Sequence, residues 1–175
     1  MSVTYVTDRM PEFERAVRDL VKNEVLVGIP AEDAGRRPDP PKGKGKKRSK
    51  QASQPPNNAT IGYWMEYGAP EANIPARPHL VPGIERAQST ITQQLRRAAE
   101  AALSGGSDGV DRGLNAAGIA AQNAVRATIT DGDFAPLSRR TLAARRARGR
   151  TGDKPLIDTG QYRRSLTYVI RPKGA

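Results

Sequence analysis

Residues 61–80 read IGYWMEYGAPEANIPARPHL, a segment in which clustered aromatics, a helix-stopping glycine and prolines follow in close order. Tyr63, Trp64 and Tyr67 fall within five residues of one another in a chain holding only one Trp, five Tyr and two Phe. Gly68 and Pro70 stop the aromatic segment, and a strap from Ile74 through Pro75, Arg77, Pro78 and His79 to Leu80 follows. Two prolines remove backbone donors from the strap, so it makes a poor internal strand. The same stiffness leaves it little entropy to lose on docking. Tyr63, Trp64, Tyr67, Ile74, Pro75, Arg77, Pro78, His79 and Leu80 are therefore expected to form a protein interface. For Trp64 a place in the core is an equal expectation.

On the N-terminal side, 10–22 (MPEFERAVRDLVK) has a helical period, with Phe13, Val17, Leu20 and Val21 on one face. The alternation of Val25, Val27 and Ile29 predicts a strand over 24–29, which Pro30 ends. Residues 30–57 have five prolines between 31 and 57 and almost no apolar side chains, which predicts a flexible basic loop inserted within the domain. Asn58 is a natural cap for a short helix over 59–67.

Beyond the strap, Pro82 suits the first turn of a long helix reaching 103, with Ile84, Ala87, Ile91, Leu95, Ala98 and Ala102 on one face. A second long helix over 110–130 carries Val110, Leu114, Ala117, Ala121 and Val125 on one face. Ser138 caps a third, over 139–148, with Leu142 and Ala143 available to face the body. A turn at 155–160, in which Asp158 is expected to cap the backbone of Gly160 or Gln161, leads into a closing strand over 166–171. The sum is one α+β domain across the 175 residues. It has a small mixed or antiparallel sheet packed against two long helices.

Composition narrows the function classes. Lys and Arg number 29 against 18 Asp and Glu, a net charge of +11 that implies polyanionic surroundings. Two runs carry much of it. One holds Lys42, Lys44, Lys46, Lys47, Arg48 and Lys50; the other holds Arg139, Arg140, Arg145, Arg146, Arg148 and Arg150. Both are expected to form basic surface facing DNA or an acidic partner, and arginine in the second favours phosphate or carboxylate contacts. No cysteine is present, which suits a reducing compartment. The segment MSVTYVTDRMPEFERAV lacks the apolar core of a secretory signal, and no run approaches the roughly 20 apolar residues of a membrane span.

Catalytic chemistry finds little support. His79 is the only histidine, with no Cys and no carboxylate pair at ligand spacing, so neither a metal centre nor a serine triad is expected. The run 43–47 (GKGKK) lacks P-loop spacing. Residues 156–160, LIDTG, resemble an aspartic-protease loop, but only 15 residues follow Gly160, too few for that strand-rich fold. The expectation is a protein without enzymatic activity and without a cofactor.

Tyr67-Gly68-Ala69-Pro70, the strap 74–80 and a long helix resemble the neck or tail-completion (head-tail joining) proteins of long-tailed bacteriophages. That family's strap has Phe where His79 stands. Pro155 to Gln161 followed by 164–168 (RSLTY) is similar to the same family's C-terminal signature, a Thr-Gly turn before a last strand. The order of elements agrees across 25–171. The resemblance implies a structural virion protein assembled in the host bacterial cytoplasm. It would form a homo-oligomeric ring, expected as a hexamer, between the head-tail connector or adaptor and the tail terminator or tail tube protein. Genomic DNA would pass through the lumen, where the chain would contact it non-specifically. The alternatives are a sequence-independent nucleic-acid-binding protein and a minor tail component of the same virion.

Overall fold

Among residues 10–37, 56–104 and 107–174, which the computed structural model describes, seven α-helices and two β-strands make an α+β fold. They are α1 (Met10–Lys22), β1 (Asn23–Gly28), α2 (Asn58–Tyr67), α3 (Leu80–Arg86), α4 (Gln88–Leu103), α5 (Ser107–Asp131), α6 (Arg139–Ala147), α7 (Gln161–Ser165) and β2 (Thr167–Pro172). The strands pair antiparallel as a two-stranded sheet. Contact density groups the chain into two compact units, one ending its first segment at Leu26 and holding Ala87–Ala121 and the chain from Tyr168, the other holding Val27–Arg86 and Gln122–Thr167.

In the first unit α5 buries Val110, Leu114, Ala117 and Ala121, the stripe expected from its period. Ala98 and Ala102 of α4 are buried as well, and Leu20, Val25 and Ile170 pack against the Ala102–Val110–Leu114 cluster. Small residues make the α4–α5 approach possible: a Cβ on Gly113 would stand 2.8 Å from the Ala98 Cα. At the sheet end, Tyr168 donates its hydroxyl to Asn115 Oδ1 at 2.9 Å, and Arg171 pairs with Glu24 at 3.0 Å.

The second unit is built on Val125, Ile129, Leu156, Tyr162 and Leu166, with Ile29, Ile61, Met65, Leu80, Ile84 and Phe134 among the side chains packed around them. Fully burying a side chain such as Leu166 or Ile129 contributes about 1.5–3 kcal/mol, so this cluster is the main apolar anchor of the unit.

Four local expectations are corrected. The helix expected from Pro82 to 103 is two helices, broken at Ala87 (φ −98°, ψ 3°). α3 answers to the second core, where Gly83 lies against the Val125 backbone, while α4 answers to the first; continuous periodicity hides a change of neighbour. The cap of α2 is Asn57, whose extended backbone lets Oδ1 accept from Thr60 N at 2.8 Å. Asn58 is instead buried: its backbone N–H donates to Ala34 O at 2.8 Å and its Nδ2 to Gly35 O at 3.3 Å. Those bonds also correct the near end of the expected loop. Residues 31–33 form a 3-10 turn, Ala34 is buried, and Arg37 exchanges bonds with the Gln161 side chain at 2.9 and 3.2 Å. Lys42, Lys44, Lys46, Lys47, Arg48 and Lys50 lie outside the described residues. Finally, the turn after Gly160, itself left-handed at φ 74°, is a short helix, α7, before β2 begins.

Candidate interaction site

α2 has two kinds of aromatic position. Tyr63 and Tyr67, one turn apart, stand 64% and 68% exposed with ring centroids 5.0 Å apart. Trp64 is half-buried. Gly68 ends the helix at φ 81°, where a Cβ would meet the Ala76 backbone nitrogen at 3.0 Å, so the sharp return into the strap requires glycine. Ala69 and Ile74 then exchange two backbone bonds of 2.9 and 3.0 Å, and Arg77 N donates to Met65 O at 2.6 Å. The strap is thereby stitched back onto α2.

Its polar side chains turn inward. Arg77, expected to be presented to a partner, is only 5% exposed; Nε donates to Ala135 O at 2.8 Å and Nη2 to Pro136 O at 3.1 Å. Burial holds its pKa below the usual arginine value, and the nearby Arg145 charge pushes the same way. His79 is 1% exposed. Its Nδ1 lies 2.9 Å from Arg77 O, which can only accept, so Nδ1 carries the proton and Nε2 takes the hydroxyl hydrogen of Tyr162. Burial lowers the His79 pKa, against the opposing hydrogen bond to Arg77 O and the Glu66 carboxylate 3.2 Å away. Tyr162 is pushed up by burial and by Glu66.

Glu66 explains why α3 begins where it does. Its Oε2 accepts from His79 N and Leu80 N at 2.9 and 3.0 Å, and Oε1 from Val81 N at 3.2 Å, capping the helix from a distant residue. Burial alone would raise its pKa; the three N–H groups and His79 outweigh that and lower it. Ile74 and Leu80 are half-buried, while Pro75 and Pro78 are exposed. An apolar recess of about 240 Å³ opens beside this lock, lined by Gly62, Tyr63, Tyr67, Leu80, Val81 and Leu166 together with the edges of Glu66, His79 and Tyr162.

The arginine run divides. Arg139, Arg140, Arg146 and Arg148 are exposed, as expected of a basic face. Arg145 is not: it is 6% exposed, and α6 turns it inward beside Leu142 while Ala143 faces outward. Its Nη1 donates to Gly152, Lys154 and Ile157 carbonyls at 3.1, 2.9 and 3.0 Å, and Nη2 to Pro155 O at 3.3 Å. Asp158 does not cap the turn. Its Oδ2 accepts from Arg150 Nη1 at 2.6 Å and its Oδ1 lies 3.5 Å from Arg145 Nε, while Gln161 N reaches Thr159 Oγ1 at 3.4 Å. A carboxylate beside two guanidiniums gains more from charge-assisted bonds than from a neutral backbone donor.

Sequence reasoning missed Glu66, Tyr162 and the inward arginines. The one available signal was a carboxylate in the middle of an apolar helix, with Pro-rich carbonyl-bearing segments elsewhere in need of donors. Among the described residues there is no cluster of three or more His, Cys, Asp or Glu able to hold a metal, and no helix is long and apolar enough to cross a membrane. Comparison with protein-family models, curated proteins and solved structures finds no match.

Proposed function

We propose that this chain is a structural virion protein of the neck of a long-tailed bacteriophage. It assembles as a homo-oligomeric ring that joins the filled head and its connector to the tail tube. The observation that carries the reading is apolar surface left uncovered in a chain with little core. Along α1, Met10, Phe13, Val17 and Val21 repeat on helical spacing and are all exposed; Tyr63, Tyr67 and Val81 form a second exposed group at the apolar recess. A ring subunit covers such surfaces with its neighbours. The strap and the Thr159–Gly160 turn, which carry the family resemblance, support the same reading because both lock onto one core through His79 and Tyr162.

The inward arginines also redistribute the charge. Arg145 and Arg150 serve Asp158 and backbone carbonyls, so lumen or partner contacts fall to the outward positions of α6. Arg77→Ala is a poor test of docking, because it removes a buried set of hydrogen bonds. Tyr63→Ser/Tyr67→Ser is a better one. Phage carrying it are expected to accumulate filled heads and tails separately, scored by electron microscopy, although the purified variant melts within a few degrees of the parent. Joined, infectious particles at the normal yield would remove these tyrosines from the joining surface.

A further inference from the structure

A second recess, of about 230 Å³, lies among Arg36, Thr141, Arg145, Arg148 and the Asp158–Thr159–Gly160 turn, with Ile61, Met65, Leu156 and Tyr162 lining its apolar part. Three features separate it from an ordinary basic surface.

The first is Arg36. Its backbone is held on both sides, by Asn58 on Ala34 and Gly35 and by the Arg37–Gln161 pair. Its side chain is half-buried, yet it makes no hydrogen bond or ion pair with any described residue. A half-buried guanidinium has five donors to satisfy and matches a carboxylate or phosphate.

The second is local charge. Arg36, Arg145 and Arg148 line the recess with one carboxylate, Asp158, which already lies against Arg145 and Arg150. Burial lowers the Arg145 pKa; Asp158 pulls it up, Arg150 and Arg148 push it down, and Asp153 again raises it.

The third is the apolar lining. A nucleic-acid strand carries its phosphates on an outer ridge and has no aliphatic group to set beside them. A peptide has both a carboxylate and adjoining aliphatic side chains.

We propose that this recess is the docking pocket for an acidic peptide segment of a protein partner. A partner carboxylate engages Arg36, and a neighbouring aliphatic side chain sits against Ile61, Met65 and Leu156. The Thr159 hydroxyl, which accepts from Gln161 N, keeps its own hydrogen to donate to the same anion. Arg145 does not bind the anion; held by four carbonyls, it positions the turn that forms one wall. The chemistry of the pocket is the same whichever assembly the chain serves.

The test titrates the full isotope-labelled chain with the acetylated hexapeptide GLDELG, its neutral counterpart GLNQLG, inorganic phosphate and a short DNA duplex, following backbone amide shifts. The expected result is saturable shifts at Arg36, Thr159 and Gly160 with the acidic peptide alone. Arg36→Gln should weaken that binding by about tenfold or more. Arg97→Gln, at an exposed residue of α4 that does not line the recess, should leave it unchanged. The proposal is overturned by absent shifts, by equal shifts with the neutral peptide, or by unaltered affinity in Arg36→Gln. It is also overturned if phosphate or the duplex saturates these amides at lower concentration than the peptide. Titration of the parent chain is decisive by itself, so a misfolded variant does not protect the proposal.

Discussion

His79 shows how one side chain can report on a whole site. It is the only histidine, buried, with Nδ1–H directed at Arg77 O and Nε2 accepting from Tyr162. Protonation would turn Nε2 into a donor facing a hydroxyl that already donates to it. Burial accordingly holds the folded-state pKa below the ordinary 6.5, and the unfolded chain takes up the proton first. The contribution to stability is therefore complete above about pH 6.5 and is lost as pH falls toward the folded value. Glu66 behaves in the same direction at lower pH: its depressed pKa contributes above 4.5, and the contribution fades as pH falls through the folded value. Urea midpoints are expected to be flat above neutrality, to fall below pH 6.5, and to fall faster below 4.5. An imidazole that titrates at its ordinary value in the folded chain, with no change in midpoint, would contradict this account of the lock.

At the scale of elements, α4 and α5 meet because glycine and alanine face each other. Gly113→Ala places a Cβ 2.8 Å from the Ala98 Cα and 2.5 Å from its Cβ. Intrinsic helix propensity favours the substitution, by about 1 kcal/mol. Overpacking a close helix pair costs about 1–3 kcal/mol, so the net effect is destabilising or near neutral and never a full propensity gain. Chemical denaturation checks it; a variant stabilised by the whole propensity difference would show that the helices stand farther apart.

The same elements show what was legible in the sequence. The stripe of α5, the bounds of α1, the Ser138 cap and the closing strand follow from spacing and residue type, which report faces and ends. Spacing does not report which neighbour a face meets, so the break at Ala87 was hidden. It also treats arginine as surface. Arg77 and Arg145 instead satisfy carbonyls of segments up to 59 residues away, contacts that exist only once the chain has folded. The candidate site was legible as a location and not in its orientation: Tyr63 and Tyr67 face outward, whereas Arg77 and His79 hold the strap shut.

On the scale of the whole molecule, a net charge of +11 and two uncovered apolar surfaces pull in opposite directions. Like charges repel copies of the chain, with a reach of about 8 Å at physiological salt, while apolar contact is insensitive to screening. Assembly is therefore expected to strengthen as salt rises, and any DNA contact to weaken. The most direct measurement is native mass spectrometry of the purified full chain across salt, paired with negative-stain images and DNA binding under the same conditions. The neck reading predicts closed rings of identical subunits that persist at moderate salt while DNA is released. A monomer at every salt concentration that grips DNA tightly would contradict it.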